Sequence, residues 1–178
     1  MDRPLLILDL DETLILGSAT PLERPADFRC GGFHVHKRPG VDAFLHTCAA
    51  AWDLAFWTSS TADYAACVVA ALTGGLPVAF AWARDRCIRR FDHELQEPYW
   101  VKDLKKVKRR GWSLARVLVV DDTARKLERN YGNLVLVKEY AGDPADDELP
   151  ALAAFLADLA AAPDLRRVEK RGWRGQRP

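Results

Sequence analysis

Two aspartates one residue apart, Asp9 and Asp11, interrupt the apolar stretch LLILDLDETLIL from Leu5 to Leu16. The aliphatic run LLIL before them reads as a strand of a parallel sheet, buried on both faces. Leaving two carboxylates unpaired in such a setting costs about several kcal/mol or more. Something must neutralise them: a cation, a metal, or the open end of the sheet. A second aliphatic run, VLVV from Val117 to Val120, also stops on two carboxylates, Asp121 and Asp122. A third, DLAFW, runs directly into Thr58 and Ser59. Acids on oxygen-only spacing suit a hard divalent cation such as Mg²⁺, which takes carboxylate oxygens and keeps several waters. A carboxylate can also act as a nucleophile, and a second carboxyl nearby can give and take a proton. Such a centre needs a fixed cation and a hydroxyl donor for phosphate oxygens, and Lys102 and Thr58 are the candidates.

The elements that must carry these residues alternate in type. Leu5 to Leu10, DLAFW, PVAFAW, VLVV and LVLV read as buried strands. Val41 to Ala51, with apolar residues at Val41, Phe44, Leu45 and Cys48, has helical spacing. Thr61 to Leu72 and Leu149 to Leu159 read as further helices. Residues Gly17 to Gly32 form a Pro/Gly-rich connection, FHVHKRPG adds a short strand pair, and the stretch 84–100 is a candidate hairpin or lid. Strands alternating with helices predict an α/β domain with a mostly parallel sheet. Ligands then bind beyond the carboxyl ends of the strands, at the topological switch point. All the polar strand endings meet there, so the carboxylates belong to the rim of the sheet and not to its core.

These stretches are also similar to the motifs of the haloacid dehalogenase superfamily: DLDETL to its first motif, FWTSS to the second, VKDL to the third and VVDDT to the fourth. The ordered set DLDETL, KRPGVDAFL, WTSSTADYA, YWVKDL and VLVVDD further resembles the phosphatases of the RNA polymerase II C-terminal domain and their small, NLI-interacting-factor-like relatives. The resemblance runs from Leu5 to Leu159. It implies a Rossmann-like core with a small insertion, and hydrolysis of a phosphomonoester through an aspartyl-phosphate. It places Asp9 as nucleophile and metal ligand, and Asp11 as general acid and base with its carbonyl on the metal. Thr58 falls on the phosphate-binding hydroxyl, Lys102 on the orienting cation, and Asp121 and Asp122 on the acidic pair at the metal. Arg84, in ARDRC, resembles an arginine of the insertion that contacts substrate phosphate, and Ser59 lies beside Thr58 as a helix cap or phosphate ligand. Mg²⁺ is the implied cofactor. A protein carrying phosphoserine or phosphothreonine is the first implied substrate; a nucleic-acid 3′-phosphate, a small phosphomonoester, or a non-catalytic binding role are the alternatives. The stretch TARKLERNYGNLVLVKEY after Asp122 departs from the family pattern.

The chain has 178 residues, 49% of them hydrophobic, and a formal net charge of +1. That suffices for one well-cored domain, taken as 1–162, and excludes a global field drawing it to nucleic acid or membrane. Locally, KKVKRRG and the tail from Leu165 to Pro178 are basic; they read as a solvated helix face and a frayed tail (163–178), though the first strip also suits a polyanion such as nucleic acid. The four cysteines, Cys30, Cys48, Cys67 and Cys87, have no metal or redox spacing and read as reduced thiols of a cytoplasmic protein. His34, His36, His46 and His93 read as surface residues. No segment reaches the roughly 18 apolar residues of a membrane span.

Overall fold

A computed structural model describes residues 3–175. Its strands are β1 (Leu5–Leu8), β2 (Ile15–Ser18), β3 (Phe28–Cys30), β4 (Phe33–Lys37), β5 (Asp53–Trp57), β6 (Val78–Trp82), β7 (Ile88–Asp92), β8 (Glu97–Val101), β9 (Val117–Asp121) and β10 (Leu134–Leu136). Its helices are α1 (Val41–Ala51), α2 (Ala62–Thr73), α3 (Lys105–Lys108) and α4 (Glu148–Leu159). The central sheet has the order β10-β9-β1-β5-β6, and every pairing in it is parallel. The chain runs outward from β1 through β5 to β6, then returns to the other side of β1 for β9 and β10. The switch point therefore lies between β1 and β9, at the carboxyl ends that carry the paired acids.

Alternation along the strands builds two apolar layers. Leu6, Leu8, Phe56, Leu118 and Val120 face α1, α2 and α4 through Phe44, Leu45, Val68, Leu72, Leu152 and Leu156. Leu5, Ile7, Trp57, Val117 and Val119 face the other way, onto Leu104, Val107 and Leu127. All four residues of β1 are fully buried, as a central strand with covered faces requires. The helix α2 ends where Gly74 takes a left-handed conformation, φ 54°, which a residue without Cβ adopts at no steric cost. The expected α/β class with a parallel sheet is thus the observed one.

Two smaller sheets sit on this core. β2, β4 and β3 form an antiparallel sheet, and β7 pairs with β8 as the hairpin expected within 84–100. Three expectations are corrected. Cys30 and Cys67 are not free thiols; they form a disulfide joining β3 to α2, while Cys48 and Cys87 are free and buried. The argument from cysteine usage for a cytoplasmic protein loses its support. The basic tail is not frayed as far as Gly175. Leu165 and Trp173 are buried, the Trp173 indole donates to the carbonyl of Leu136, and Arg174 pairs with Asp147 and Glu148. The last residues of that tail, 176–178, lie outside the described residues. His36 is fully buried, not on the surface; it follows the core residue Val35 in β4, and both faces of the strand are covered at this point. Among the described residues no helix is long and apolar enough to cross a membrane.

Candidate active site

Asp9 follows β1 directly and is fixed by its backbone: its N–H donates to the carbonyl of Val120, 3.0 Å away, at the end of β9. Parallel register sets Leu8 opposite Val120, so the residues that follow, Asp9 and Asp121, come to lie side by side. Both are buried. After Asp9 the chain closes a tight loop: the N–H groups of Thr13 and Leu14 donate to the carbonyl of Leu10 at 3.2 and 2.8 Å, and Glu12 takes a left-handed φ of 57°. Buried Arg38, from the KRPG stretch, braces this loop. It donates to the Thr13 carbonyl at 3.0 Å and makes two bonds of 2.7 and 2.9 Å to Asp146. A guanidinium held on both sides of a carboxylate orients its remaining donor with little freedom.

Two ammonium groups converge on Asp9. Lys102, immediately after β8, is fully buried; its Nζ lies 3.0 Å from Asp9 Oδ1 and 2.6 Å from Asp121 Oδ2. The hairpin therefore delivers one site residue. Lys126 lies in the short 3-10 turn Ala124–Leu127 after β9. Its Nζ is 2.6 Å from Asp9 Oδ2, 3.3 Å from Asp121 Oδ1 and 3.5 Å from Asp122 Oδ1. The Lys102 N–H donates to the Lys126 carbonyl at 2.7 Å, tying the two backbones together. Burial works to raise the carboxyl of Asp9, but Lys102 and Lys126 outweigh it and hold the group down at about 2. Asp121 goes the other way, to about 6, through burial and the charge of Asp9 beside it. Burial works against the charge on Lys126, and the surrounding carboxylates of Asp9, Asp121 and Asp122 more than restore it.

Asp11 stands apart from this cluster. Ser60 Oγ donates to its Oδ2 at 2.7 Å and Tyr64 Oη to its Oδ1 at 2.8 Å. Burial raises its carboxyl above the usual range despite these two donors. Gly17 of β2 permits the arrangement: a Cβ there would sit 2.4 Å from Tyr64 Oη and 3.3 Å from Asp11 Oδ1. Thr58 follows β5, is buried, and accepts a bond of 3.1 Å from the N–H of Ser60 through Oγ1. Arg84 donates through Nε to the carbonyl of Ser59 at 2.6 Å, and its guanidinium lies over the Trp100 ring at 5.4 Å. It is thereby joined to the loop that holds Asp11. Thr13 donates to Asp122 Oδ1 at 3.1 Å, and Thr123 to Asp122 Oδ2 at 2.8 Å.

The structure therefore gathers Asp9, Lys102, Asp121 and Asp122 into one cluster and sets Asp11 beside it. Thr58, Ser59 and Arg84 lie on the adjoining rim. Sequence reasoning missed Ser60, Tyr64 and Lys126. Tyr64 stands within WTSSTADYA, one turn into α2, and Lys126 four residues past Asp122; each spacing was visible, but a lone tyrosine or lysine carries no signal without the fold.

One oxygen each from Asp9, Asp121 and Asp122 lies within 4.8 Å of the others. Asp9 Oδ1 is buried and receives no hydrogen bond, its approach to Lys102 being off-angle. Three carboxylates against two ammonium groups leave one negative charge unmatched. An all-oxygen donor set with an unused buried lone pair fits a hard divalent cation.

A family model described as NLI interacting factor-like phosphatase matches residues 4–166. Among curated proteins, a probable C-terminal domain small phosphatase of Dictyostelium discoideum is 33% identical over 171 residues, covering 92% of this chain and 53% of that protein. A CTD nuclear envelope phosphatase 1 homolog of Drosophila melanogaster is 29% identical over 186 residues, covering 96% of this chain and 73% of its own. The chain spans about half the length of the first two curated relatives, 53% and 50%. Among solved structures, Fcp1, an essential RNA polymerase II CTD phosphatase, superposes with a TM-score of 0.67 at 20% identity, over 89% of this chain and 62% of that one. A beryllium fluoride complex of the fission yeast enzyme gives 0.61 at 21%, over 86% and 45%. These two likenesses bear on the fold.

Proposed function

We propose that this chain, which belongs to the NLI interacting factor-like phosphatase family, hydrolyses phosphomonoesters in two displacements through Asp9. The observation that carries this reading is the unequal treatment of two neighbouring carboxylates. Asp9 is kept ionised between two ammonium groups, with one oxygen free of hydrogen bonds. Asp11 accepts from Ser60 and Tyr64, and burial raises its carboxyl above the usual range in spite of them. Two carboxyls pushed in opposite directions by their surroundings divide into nucleophile and acid.

In the first displacement an Asp9 oxygen bonds to phosphorus, the ester bond breaks, and Asp11 gives its proton to the departing alkoxide. In the second, water attacks the aspartyl-phosphate, Asp11 takes back a proton, and inorganic phosphate leaves with Asp9 restored. Lys102 holds Asp9 in place and offsets charge on the phosphoryl oxygens, and Thr58 offers them a hydroxyl. Ser59 and Arg84 are assigned to the substrate side of the rim. A Mg²⁺ ion held by Asp9, Asp121, Asp122 and the carbonyl of Asp11 would supply positive charge for those same oxygens.

The first substrate class is a protein carrying phosphoserine or phosphothreonine, in keeping with the names of the relatives. A second reading, a phosphatase for a polyanion such as an oligonucleotide, is favoured by one observation. A cavity of about 550 Å³ is lined by Trp82, Arg86, Lys106, Arg109 and Arg110, with Arg110 over the Phe80 ring at 5.5 Å. A panel of phosphopeptides, 3′-phosphorylated oligonucleotides and sugar phosphates separates the two. Hydrolysis should need Mg²⁺, stop with chelator, and fall by about 10²-fold or more in Asp9→Asn, the scale of a lost catalytic group. A folded Asp9→Asn protein keeping more than about a tenth of the activity would sink the mechanism.

A further inference from the structure

We infer that Lys126 is a tethered cation that occupies the divalent-metal position in the metal-free protein, must withdraw when the ion enters, and so sets the metal affinity of the site. This rests on the reading of Asp9, Asp121 and Asp122 as metal ligands. The three oxygens nearest the Lys126 ammonium, at 2.6, 3.3 and 3.5 Å, belong to those same three residues. Mg²⁺ requires oxygens at about 2.0–2.1 Å. An ion drawn to these three carboxylates would bring its two positive charges up against that ammonium, and the repulsion would drive the Lys126 side chain outward.

Charge counting makes the same point. Three carboxylates with Lys102 and Lys126 carry one net negative charge. The same carboxylates with Lys102 and a divalent ion are neutral, and Lys126 is then in surplus. The two lysines also differ in freedom. Lys102 is fully buried, with no exposed side-chain surface, whereas 17% of the Lys126 side chain is exposed. The backbone of Lys126 is pinned through its carbonyl to Lys102, so withdrawal is a side-chain movement toward solvent that leaves the 3-10 turn in place. No such alternative exists for Lys102. Lys126 thus lets the apo site persist without a metal, and the incoming ion must overcome its presence.

The test compares wild type with Lys126→Met, which keeps the aliphatic stem, and Lys126→Gln, which keeps a polar end. Mg²⁺ and Mn²⁺ dissociation constants are measured by calorimetry without substrate, and thermal stability is measured in chelator and in saturating Mg²⁺. Coulomb repulsion between a divalent ion and an ammonium about 6 Å away, at the dielectric constant of water, corresponds to about a tenfold weakening. Both variants should therefore bind the ions about tenfold tighter or more. Both should be less stable than wild type in chelator and regain the difference in Mg²⁺. A merely structural lysine would not, on removal, raise metal affinity. Affinities within about twofold of wild type, or weaker, in both variants overturn the inference. If no protein binds either ion, the inference and the metal-dependent reading fall together. Unchanged affinity with hydrolysis and metal dependence intact overturns the inference alone.

Discussion

Gly17→Ala offers a sharp test of how the site holds Asp11, the proposed general acid. The glycine touches no substrate-binding group, and its φ is outside the left-handed region, so alanine meets no backbone penalty. The added methyl would lie 2.4 Å from Tyr64 Oη and 3.3 Å from Asp11 Oδ1. The first approach is untenable for a Cβ, and the ring must turn. It cannot shift freely, because it packs edge-on against Phe33 at 5.4 Å between ring centres. The 2.8 Å bond from Tyr64 to Asp11 is the contact that gives way. A hydrogen bond to a charged group contributes about 1.5–3 kcal/mol, which limits the loss in kcat/KM to about 10- to 100-fold. Losing a donor that favours the ionised form should also raise the Asp11 carboxyl further, so the alkaline limb of the kcat/KM profile moves to higher pH. The assay is a pH–rate series on a phosphoserine peptide for wild type, Gly17→Ala, Tyr64→Phe and the double variant, with melting curves as a folding control. The two single variants should lose activity alike, and the double variant should lose little more than either, because both break one bond. Full additivity, or a folded Gly17→Ala protein with an unmoved limb, would refute the reasoning.

Further outcomes follow from other parts of the fold. The Cys30–Cys67 bridge closes a sequence separation of 37 residues, for which chain entropy gives about 4 kcal/mol; reduction, or serine at both positions, should lower stability by up to this amount in denaturant titrations, and an unchanged midpoint would contradict the bridge. In the metal-free protein burial and the neighbouring Asp11 and Asp122 raise Glu12 to about 7, while burial and Asp9 raise Asp121 to about 6. At these two groups the fold then holds protons that the unfolded chain has released, so their contribution should lower stability as pH rises through the window from about 4 to 7. Asp9, held at about 2, adds no slope there, since its contribution is complete once the unfolded carboxyl has ionised. Urea titrations in chelator should show the decline, and Glu12→Gln should flatten it; stability rising from pH 5 to 7 would count against it.

The sequence by itself determined the sheet and the identity of its polar rim. Continuous aliphatic runs such as LLIL and VLVV mark strands buried in the sheet, and the carboxylates after them fall where those strands stop. Local rules were enough, because burial on both faces leaves a signature in consecutive residues. The spacing of α1 was legible for the same reason. What only the tertiary structure decided depends on residues far apart in the chain. Cys30 and Cys67 show no pairing motif; the packing of β3 against α2 brings them together. Lys126 and Tyr64 are ordinary surface types in a sequence, and they acquire roles because a 3-10 turn and the first turn of α2 aim them at Asp9 and Asp11. The tail looked frayed because its charge is local, whereas Leu165 and Trp173 are held by a core assembled from distant strands and α4. Strand order is the root of the difference: with β9 returning to the far side of β1, Asp9 meets Asp121 across 112 positions, and no sequence pattern of finite window records that meeting.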